Sequence, residues 1–574
     1  MAHLLGIKPR PAPQLPYLRA TATLKQLIVD GEPFLMLAGE LQNSSASSPE
    51  YMSKIWPALK AAHLNTVLAN VAWENIEPTE GCFDFTVLDQ LLLQARSHEM
   101  RLVLLWFGSF KNGLSTYAPP WAKLDTVRFP RVKIRSSDGT LQVADNFSLF
   151  GPEMRQVETK AFAALMTHLQ KVDKASATVL MVQVENEVGI LGDSRDRSQL
   201  AEEAIQHPVP HDLIAFLRSD WSKMNRSFRQ KFASVRSDVV VSSDSRLSWK
   251  DLHIDTDYAD ELFMAYHYAR HVDALAAVAK RIHPLPLFTN VWQNYGDDDA
   301  DPNVPLAAGG GNRPGDYPSG GAVPDVLDVW QTFAPSLDFI APDIYLNDYV
   351  RTCEKYRHRD QPLFIPEQRR DAYGARRIWT AIGTHQCLGT APFGIDTVPL
   401  DQNPFTKHYK LLESVRTIVL RAQARGDATI GFYFDDISQD GSDNSTPIKM
   451  TFGDWNLVIE RSFVFGRLSE GSGMIIQIQP DEFLLIGWGF QVTFASTDTS
   501  STFAGLLRFE EREVVDFKSG KMRTLRWLNG DETRSGRQAV MPSEDPDYGG
   551  FPISITVPAG TGIAMCQPYA LKDA

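Results

Sequence analysis

The chain has 574 residues, which exceeds the length over which one hydrophobic core keeps growing, so we expect one large domain and at least one smaller one. Hydrophobic residues make up 43% of the sequence and charged residues 22%, as in an ordinary globular protein. The net charge of −13, with no offsetting basic run, argues against nucleic acid or an anionic membrane surface as a partner.

The N-terminal residues and the cysteines carry no targeting or cross-linking pattern. No basic head precedes a long apolar stretch, so we expect the chain as given to be cytosolic, or a mature form whose leader was removed. The cysteines, Cys82, Cys353, Cys387 and Cys566, lack metal-ligand spacing, which disfavours a disulfide framework or a zinc site. We interpret all four as small core residues.

Buried strands alternate with amphipathic helices through the first part of the chain. Eight apolar runs without helical spacing predict strands at 34–40, 66–70, 101–107, 179–187, 285–290, 337–345, 362–367 and 389–396. Helical spacing predicts helices at 49–62, 88–100, 155–172 and 405–424, and residues 194–285 are predicted to be mostly helical, with a short apolar run at 239–243. An Asp-Gly turn predicts a β-hairpin at 26–34. The alternation is typical of βαβ units, and the sequence therefore predicts an α/β fold, a (β/α)8 TIM barrel.

From about residue 426 the pattern changes to short strands separated by Gly, Asp and Ser turns. Apolar or alternating segments occur at 430–434, 474–478, 482–487 and 553–557. Such segments are typical of an antiparallel β-sandwich. We therefore predict a catalytic barrel at residues 1–425, followed by a smaller β-sandwich domain at residues 426–574.

The fourth predicted strand ends abruptly in Glu185, Asn186 and Glu187. Burying an unpaired carboxylate is costly or forces its protonation, so these groups should lie where the strand enters a polar cleft. In parallel α/β folds that cleft is at the carboxyl ends of the strands, where catalytic groups collect. The alternative is a strand end whose acids are only solvated or paired with nearby arginines.

A second carboxylate, Glu367, ends the seventh predicted strand and so faces Glu187 across the barrel mouth. Glycosidases divide labour between two such groups: one is held protonated and donates to the leaving oxygen, and the other is ionised and attacks carbon. A separation of about 5–5.5 Å gives retention of configuration, and a wider gap gives inversion. Arg369 and Arg370 either form a structural ion pair with Glu367 or favour the ionised form that a nucleophile needs.

Several stretches resemble a known family. The string Gln-Val-Glu-Asn-Glu at 183–187, Glu367 and the loop at 73–85 look like a clan A retaining glycosidase. The sequence most resembles glycoside hydrolase family 35, the β-galactosidases, and family 42 is similar in the same loop. Within family 35, a subgroup with a C-terminal β domain is similar in four stretches, and some of its members remove galactose from xyloglucan side chains; the stretches are 106–113, 264–270, 342–345 and 364–370.

The resemblance implies that Glu187 is the acid/base and Glu367 the nucleophile. Asn186 would bond the hydroxyl beside the reacting carbon, and Tyr345 would touch the nucleophile or the sugar. The substrate-binding residues that we expect are Asn186, Tyr345, Glu40, Asn70, Trp73, Trp106 and Trp292. Gln42 stands where related sequences usually carry histidine, and Phe110 where the subgroup often has tryptophan, so the sugar specificity stays open.

Three other features have weaker functional interpretations. Aromatic residues near strand ends suit stacking on a sugar face but are equally typical of core packing. The glycine-rich stretch 309–321 lacks the spacing of a phosphate-binding loop, and we predict a mobile loop over the barrel mouth. His267 and His271 stand four residues apart, but no third metal ligand is evident, so we expect neither a metal nor an organic cofactor.

The sequence as a whole predicts a retaining, exo-acting glycoside hydrolase with a carbohydrate as its partner, and a β-galactosidase is the first hypothesis. One alternative is a retaining β-glycosidase that acts on arabinose, fucose or galactofuranose. Another is a carbohydrate-binding barrel that has lost turnover, which the presence of Glu187, Glu367 and Asn186 disfavours.

Overall fold

The computed structural model describes residues 14–21, 24–219, 221–236, 247–295, 311–435, 445–464, 467–468, 470–543 and 560–572. The predicted apolar run at 239–243 and the predicted strand at 553–557 lie outside these residues. Among the described helices, none combines the length and the apolar character needed to cross a membrane.

Eight parallel strands form the central sheet: β1 Met36–Glu40, β2 Thr66–Ala72, β3 Arg101–Lys111, β4 Val179–Asn186, β5 Leu287–Val291, β6 Phe339–Pro342, β7 Ile365–Gln368 and β8 Gly389–Pro392. Their order in the sheet is β6-β5-β4-β3-β2-β1-β8-β7. A parallel bridge between Ile344 and Gln368 joins the two ends of this order and closes the ring. The predicted TIM barrel is therefore confirmed.

Helices cover the outside of the ring, which is why the strands are continuous apolar runs. The longer helices are Pro49–Ala61, Thr86–Ser97, Met154–Val172, Thr256–Ile282, Ala372–Gly383 and Phe405–Arg425. The shorter ones are Trp73–Ile76, Pro120–Leu124, Gln199–Gln206, His211–Arg218, Arg226–Lys231, Leu327–Phe333 and Tyr349–Tyr356. The first helix begins at Pro49, directly after Ser48, whose hydroxyl accepts the backbone N–H of Tyr51 at 3.1 Å.

A three-stranded antiparallel sheet precedes the barrel, with strands Tyr17–Ala20, Lys25–Val29 and Glu32–Pro33. The predicted hairpin turn is present, and Asp30 and Gly31 both adopt left-handed backbone angles there. Leu27 and Val29 pack into the same apolar cluster as side chains of the barrel strands, including Met36. A second hairpin, Arg131–Arg135 with Leu141–Phe147, follows β3 and was not predicted.

Besides a two-stranded sheet, Phe463–Val464 with Arg467–Leu468, the described C-terminal residues form two large antiparallel sheets, as predicted. In sheet order, one contains Thr429–Phe434, Gly471–Gln479, Glu482–Trp488, Ile563–Leu571, Phe503–Asp516 and Lys521–Trp527, and the other Ile448–Phe452, Trp455–Arg461, Phe490–Ser496 and Gln538–Met541. Side chains of both sheets share one apolar cluster, which makes the pair a sandwich. The division into domains at residues 425 and 426 stays a prediction.

The first C-terminal strand packs closely on a barrel helix at Gly431. A Cβ atom there would collide with the backbone carbonyl of Trp379, and the hydroxyl of Thr384 donates to the carbonyl of Gly431 at 2.9 Å. The same contact region also contains Met474, which belongs to the barrel's large apolar cluster. Glycine is therefore required at 431 by the approach of two backbones.

We expect Gly431→Ala to destabilise the protein, because the added methyl group forces the strand and helix Ala372–Gly383 apart. Overpacking of this kind costs about 1–3 kcal/mol of unfolding free energy. Chemical denaturation checks this result, with Lys449→Ala as the control because Lys449 is exposed on a strand of the other sheet. Equal stability of Gly431→Ala and the control would contradict this account of the interface.

Candidate active site

The carboxyl ends of the barrel strands bring three acids together. Glu187 follows β4, Asp343 follows β6 and Glu367 lies in β7. One carboxyl oxygen from each lies within 4.8 Å of the others. The sequence placed Glu187 and Glu367 on opposite sides of one mouth, and the structure places them there, with Asp343 as an additional neighbour.

Glu367 is held by three donors. The hydroxyl of Tyr345 donates to Oε2 at 2.8 Å, and the side-chain amides of Asn290 and Asn186 donate to Oε1 at 3.2 and 3.4 Å. Hydrogen bonds of this kind favour the ionised carboxylate and fix its orientation. Arg369 does not pair with Glu367: its guanidinium binds Asp371.

Glu187 has a different environment. Its backbone N–H donates to Asn290 Oδ1 at 2.9 Å, and its φ of 45° lies in the left-handed region, a strain typical of functional strand ends. Burial, and next the negative charge of Glu367, raise the pKa of Glu187 to about 8, although Lys111 opposes the shift. Glu187 is therefore a protonated acid at neutral pH, whereas Glu367 has the contacts of a carboxylate.

Two further acids share the field of this pair. Burial and the charge of Glu367 raise the pKa of both Glu40 and Asp343 well above the ordinary range. The nearby cation is Lys111, at the end of β3, and its ammonium group donates to Asn186 Oδ1 at 2.8 Å. Lys111 can neutralise the negative charge of only one of these four buried carboxyls. Bound protons must neutralise most of the others.

A cavity of about 210 Å³ opens at these acids. Its wall is formed by Asn43, Lys111, Asn112, Glu187, Trp292, Gln293, Tyr295, Asp343, Tyr345, Asn347, Glu367 and Phe393. Several buried oxygens at or next to it have no hydrogen-bond partner among the described residues: both of Glu40, and Oδ1 of Asn43 and Asn112. Buried acceptors without partners indicate a ligand that supplies donors.

The expected substrate-binding residues divide into two groups. Trp292 and Tyr345 line the cavity, Asn186 and Glu40 adjoin its acid Glu367, and Asn70 lies on β2 and is not among the wall residues. The structure does not bring the other two tryptophans to the cavity. Trp73 and Trp106 are completely buried, their indole N–H groups donate to Glu77 and Glu158, and they pack on each other.

Sequence reasoning missed several cavity residues. Lys111 lies beyond the predicted end of the third strand at residue 107, because β3 continues to Lys111. Asp343 follows a buried strand in the same way as Glu187, and this signal could have identified it. Asn43, Asn112 and the remaining wall residues lie in loops, where spacing in the sequence gives no indication of direction.

Two other expectations, on the glycine-rich stretch and on Cys82, require correction, and the structure also separates the two histidines. Within the glycine-rich stretch, residues 317–321 are buried, and Ser319 pairs with Ile190 at 2.8 and 3.0 Å, so this part is packed rather than a free loop over the mouth; residues 309–310 lie outside the described residues. His267 packs among aromatic rings, whereas His271 contacts Glu158, so the two do not converge. Cys82 is exposed, and the other three cysteines are buried as expected.

The three acids at the cavity also satisfy the distance requirement for a cation. The donors around Glu367 argue for a different use. Both of its oxygens accept hydrogen bonds from Tyr345, Asn290 and Asn186, whereas a metal ligand must offer those lone pairs to the ion. The arrangement suits proton transfer beside a fixed carboxylate.

Known proteins match different parts of the chain. A family model described as β-galactosidase, glycoside hydrolase family 42, matches residues 44–294, and a model described as a domain of unknown function, DUF5597, matches residues 405–540. β-Galactosidase 8 of Oryza sativa subsp. japonica is 27% identical over 194 residues, which is 33% of this chain and 26% of that protein. The chain therefore matches about a quarter of the length of this relative.

Solved structures show only a distant likeness. The catalytic domain of β-amylase from Paenibacillus polymyxa is 10% identical, with a TM-score of 0.45 over 64% of this chain and 94% of that one. β-Galactosidase from Bacillus circulans sp. alkalophilus is 15% identical, with a TM-score of 0.42 over 66% and 56%. Likeness of this degree assigns no function.

The matched family model and the matched rice protein are both described as β-galactosidase. The family 42 model matches residues 44–294, and the matches do not single out family 35, which the sequence most resembled.

The raised pKa of Glu187 predicts how stability depends on pH. The contribution of this group is fully present below its ordinary pKa of 4.5 and is lost as the pH rises to about 8, because only the folded state holds the proton in that interval. Glu187→Gln cannot ionise. We expect its unfolding free energy, relative to wild type, to rise by on the order of 2–5 kcal/mol between about pH 5 and about pH 9.

Chemical denaturation at both pH values measures this difference. Glu203→Gln is the control, since Glu203 is exposed on a surface helix. If the two variants show the same change with pH, Glu187 does not carry the buried proton.

Proposed function

We propose that the protein is a retaining, exo-acting glycoside hydrolase that releases terminal galactose by double displacement. The observation that carries this proposal is the short distance between two carboxyls with opposite environments. One oxygen of Glu187 lies within 4.8 Å of one oxygen of Glu367, which favours the close carboxyl pair of about 5–5.5 Å typical of retaining enzymes over the wider gap of about 6.5–9.5 Å typical of inverting ones.

The proposed reaction assigns a role to each acid. Glu367 attacks the anomeric carbon and forms a glycosyl ester, while the protonated Glu187 donates to the leaving oxygen. Glu187 then removes a proton from water as the water oxygen attacks the anomeric carbon. This step cleaves the ester, releases Glu367 as a carboxylate and leaves Glu187 protonated. Tyr345 and Asn290 keep Glu367 oriented, and Asn186, between Lys111 and Glu367, is placed to bond the hydroxyl beside the reacting carbon.

The shape and the polarity of the cavity support exo action on a sugar. A volume of about 210 Å³ is below the range of about 300–1,000 Å³ for drug-sized ligands and suits one ring. The unpartnered oxygens of Asn43 and Asn112 on the wall, and the carboxyl of Glu40 beside it, suit the hydroxyl groups of a sugar, which both donate and accept hydrogen bonds. Trp292 offers an apolar surface on the same wall.

The choice of galactose depends on the sequence relations. The matched family model and the matched rice protein are both described as β-galactosidase. The finer assignment, to the family 35 subgroup that acts on side chains of plant polysaccharides such as xyloglucan, is part of this proposal and depends on the resemblance of residues 342–345 and 364–370. Gln42 in place of histidine keeps arabinose, fucose and galactofuranose as alternatives.

A panel of nitrophenyl glycosides tests the proposal. We expect the β-galactoside to be hydrolysed fastest, with the β-anomer of free galactose appearing first in a proton NMR time course. Faster hydrolysis of another sugar would replace galactose, initial release of the α-anomer would exclude retention, and binding without turnover would indicate a carbohydrate-binding barrel.

We expect Glu367→Ala to abolish turnover, because no nucleophile remains for the first step. Azide should restore hydrolysis of an activated glycoside by entering the space left by the carboxylate, and the product should be a glycosyl azide of inverted anomeric configuration. Glu74→Ala is the control, since Glu74 pairs with Lys123 on a helix after β2. Normal turnover by Glu367→Ala would remove Glu367 from the mechanism.

We expect Glu187→Ala to affect substrates according to their leaving groups. A dinitrophenolate leaves without protonation, so its glycoside should lose less than about 10-fold in kcat/KM, whereas unactivated glycosides should lose about 100-fold or more. The alkaline limb of the wild-type profile, expected at about pH 8 from the pKa of Glu187, should also disappear. Equal losses on all substrates, or an unchanged limb, would show that Glu187 is not the acid.

A further inference from the structure

A second group of buried ionisable side chains lies outside the cavity wall. It consists of Glu158 on helix Met154–Val172, Glu185 on β4 and His271 on helix Thr256–Ile282. All three side chains are buried, and one ligand atom from each lies within 4.8 Å of the others. They are not part of the described cavity wall and take no part in the reaction proposed above.

These residues fill an irregularity in the barrel sheet. β3 pairs with β4 at Trp106 and Val184 and again at Lys111 and Asn186, so residues 107–110 face the single residue Glu185. The Glu185 carboxyl replaces the missing strand partner: it accepts the N–H of Ser109 at 3.1 Å and the N–H of Phe110 at 3.0 Å. A φ of 62° at Glu185 adds local strain at this point.

Glu158 is surrounded by donors. Its Oε1 accepts the indole N–H of Trp106 and the backbone N–H of Ser109, both at 3.1 Å. Its Oε2 accepts the hydroxyl of Ser109 at 2.6 Å and Nε2 of His271 at 3.1 Å. Each oxygen of Glu158 thus has two donors, whereas each oxygen of Glu185 has one N–H donor, so the surroundings favour the ionised form at Glu158 more than at Glu185.

We place the proton of the Glu158–Glu185 pair on Glu185. Burial alone would raise the pKa of Glu158, but hydrogen bonds from Glu185 and His271 outweigh it and hold that pKa at about 2. Burial and the charge of Glu158 raise the pKa of Glu185 well above its ordinary range. Glu185 is then a neutral acid that donates to Glu158.

Building on the proposed function, we propose that Glu185 is a positioning residue: as a neutral acid bound to ionised Glu158, it sets the places of Lys111 and Asn186 in the active site. Its two neighbours along the network provide the connection. Glu185 accepts the N–H of Phe110, which directly precedes Lys111 in the sequence. Asn186 directly follows Glu185. Lys111 donates to Asn186 Oδ1, and Asn186 donates to Glu367.

A cation site is the competing interpretation of the same three residues. Their hydrogen bonds disfavour it. The oxygens of Glu158 and Glu185 already accept five hydrogen bonds from N–H groups and one from a hydroxyl, which hold the lone pairs that a cation would require. Repulsion between those donors and an ion would add to this competition.

Matched amide substitutions test where the proton resides. In Glu185→Gln, the amide N–H₂ can replace the acid proton toward Glu158, the amide oxygen can accept from Phe110, and Ser109 N–H keeps Glu158 as an acceptor. In Glu158→Gln, an amide N–H₂ must face donors. We expect Glu185→Ala and Glu158→Gln each to lower kcat by about 10- to 100-fold with less than about a twofold change in KM, and Glu185→Gln to recover most of the loss.

A double-mutant cycle distinguishes an effect of Glu185 on Asn186 from a nonspecific disturbance of the folded structure. If Glu185 acts through its neighbours, Glu185→Ala should cost less than about threefold in the background of Asn186→Ala. The same loss in both backgrounds would overturn the proposal. Where Glu185→Ala does not fold, Ser109→Ala replaces it, because this change removes one donor to Glu158 and leaves the backbone N–H groups in place.

An infrared measurement decides the inference without a substrate. The wild-type minus Glu185→Gln difference spectrum at neutral pH should contain the carbonyl band of a protonated acid, and the wild-type minus Glu158→Gln spectrum a carboxylate band. The reverse assignment would overturn the positioning proposal even if glycosides are hydrolysed. Failure of every glycoside, with these spectra as expected, would reject the proposed function and leave the proton on Glu185.

Discussion

The cost of burying carboxyl groups is the constraint on which the rest of this structure depends. Glu40, Glu187, Asp343 and Glu367 meet at the ends of four barrel strands, and the nearby cation is Lys111. Four ionised carboxylates beside one ammonium group are not tolerated without water. The group must therefore hold protons, and the local hydrogen bonds decide which members hold them.

The backbone conformation determines which of these carboxyls has hydrogen-bond donors around it. Glu367 accepts hydrogen bonds from side chains on β4, on β5 and on the segment after β6. Glu187 itself has a left-handed backbone conformation, and its carboxyl lies beside other acids. The strain of left-handed non-glycine residues, on the order of 1–3 kcal/mol each, must be offset by the surrounding packing. The closed ring of strands supplies that packing, and the antiparallel C-terminal sheets extend the same large apolar cluster through Met474.

The sequence was sufficient to predict the barrel and the proximity of Glu187 and Glu367. Apolar runs mark buried strands, and a charged residue at the end of such a run must lie at the polar mouth of the barrel. The sequence was not sufficient for the tryptophans. Trp73 follows β2 and Trp106 lies within β3, but both indole N–H groups donate to buried acids: Trp73 to Glu77, and Trp106 to Glu158 on a helix far along the chain, a partner that is invisible in a local pattern. Lys111 was missed because the irregular pairing of β3 carries the strand past its apolar run.

The same proton accounting explains how such a site can work without rearranging its surroundings. Before the proposed first step, Glu367 carries the charge and Glu187 the proton. After it, Glu367 is an uncharged ester and Glu187 has become the carboxylate, so the number of buried charges is unchanged, and the charge has moved only between two carboxyls that have an oxygen each within 4.8 Å of the other. The charge of Glu367 is the second-largest cause of the raised pKa of Glu187, and it vanishes when the ester forms. Glu187 thereby becomes a stronger acid at the moment when it must give up its proton, and it regains its affinity for a proton only as water restores Glu367.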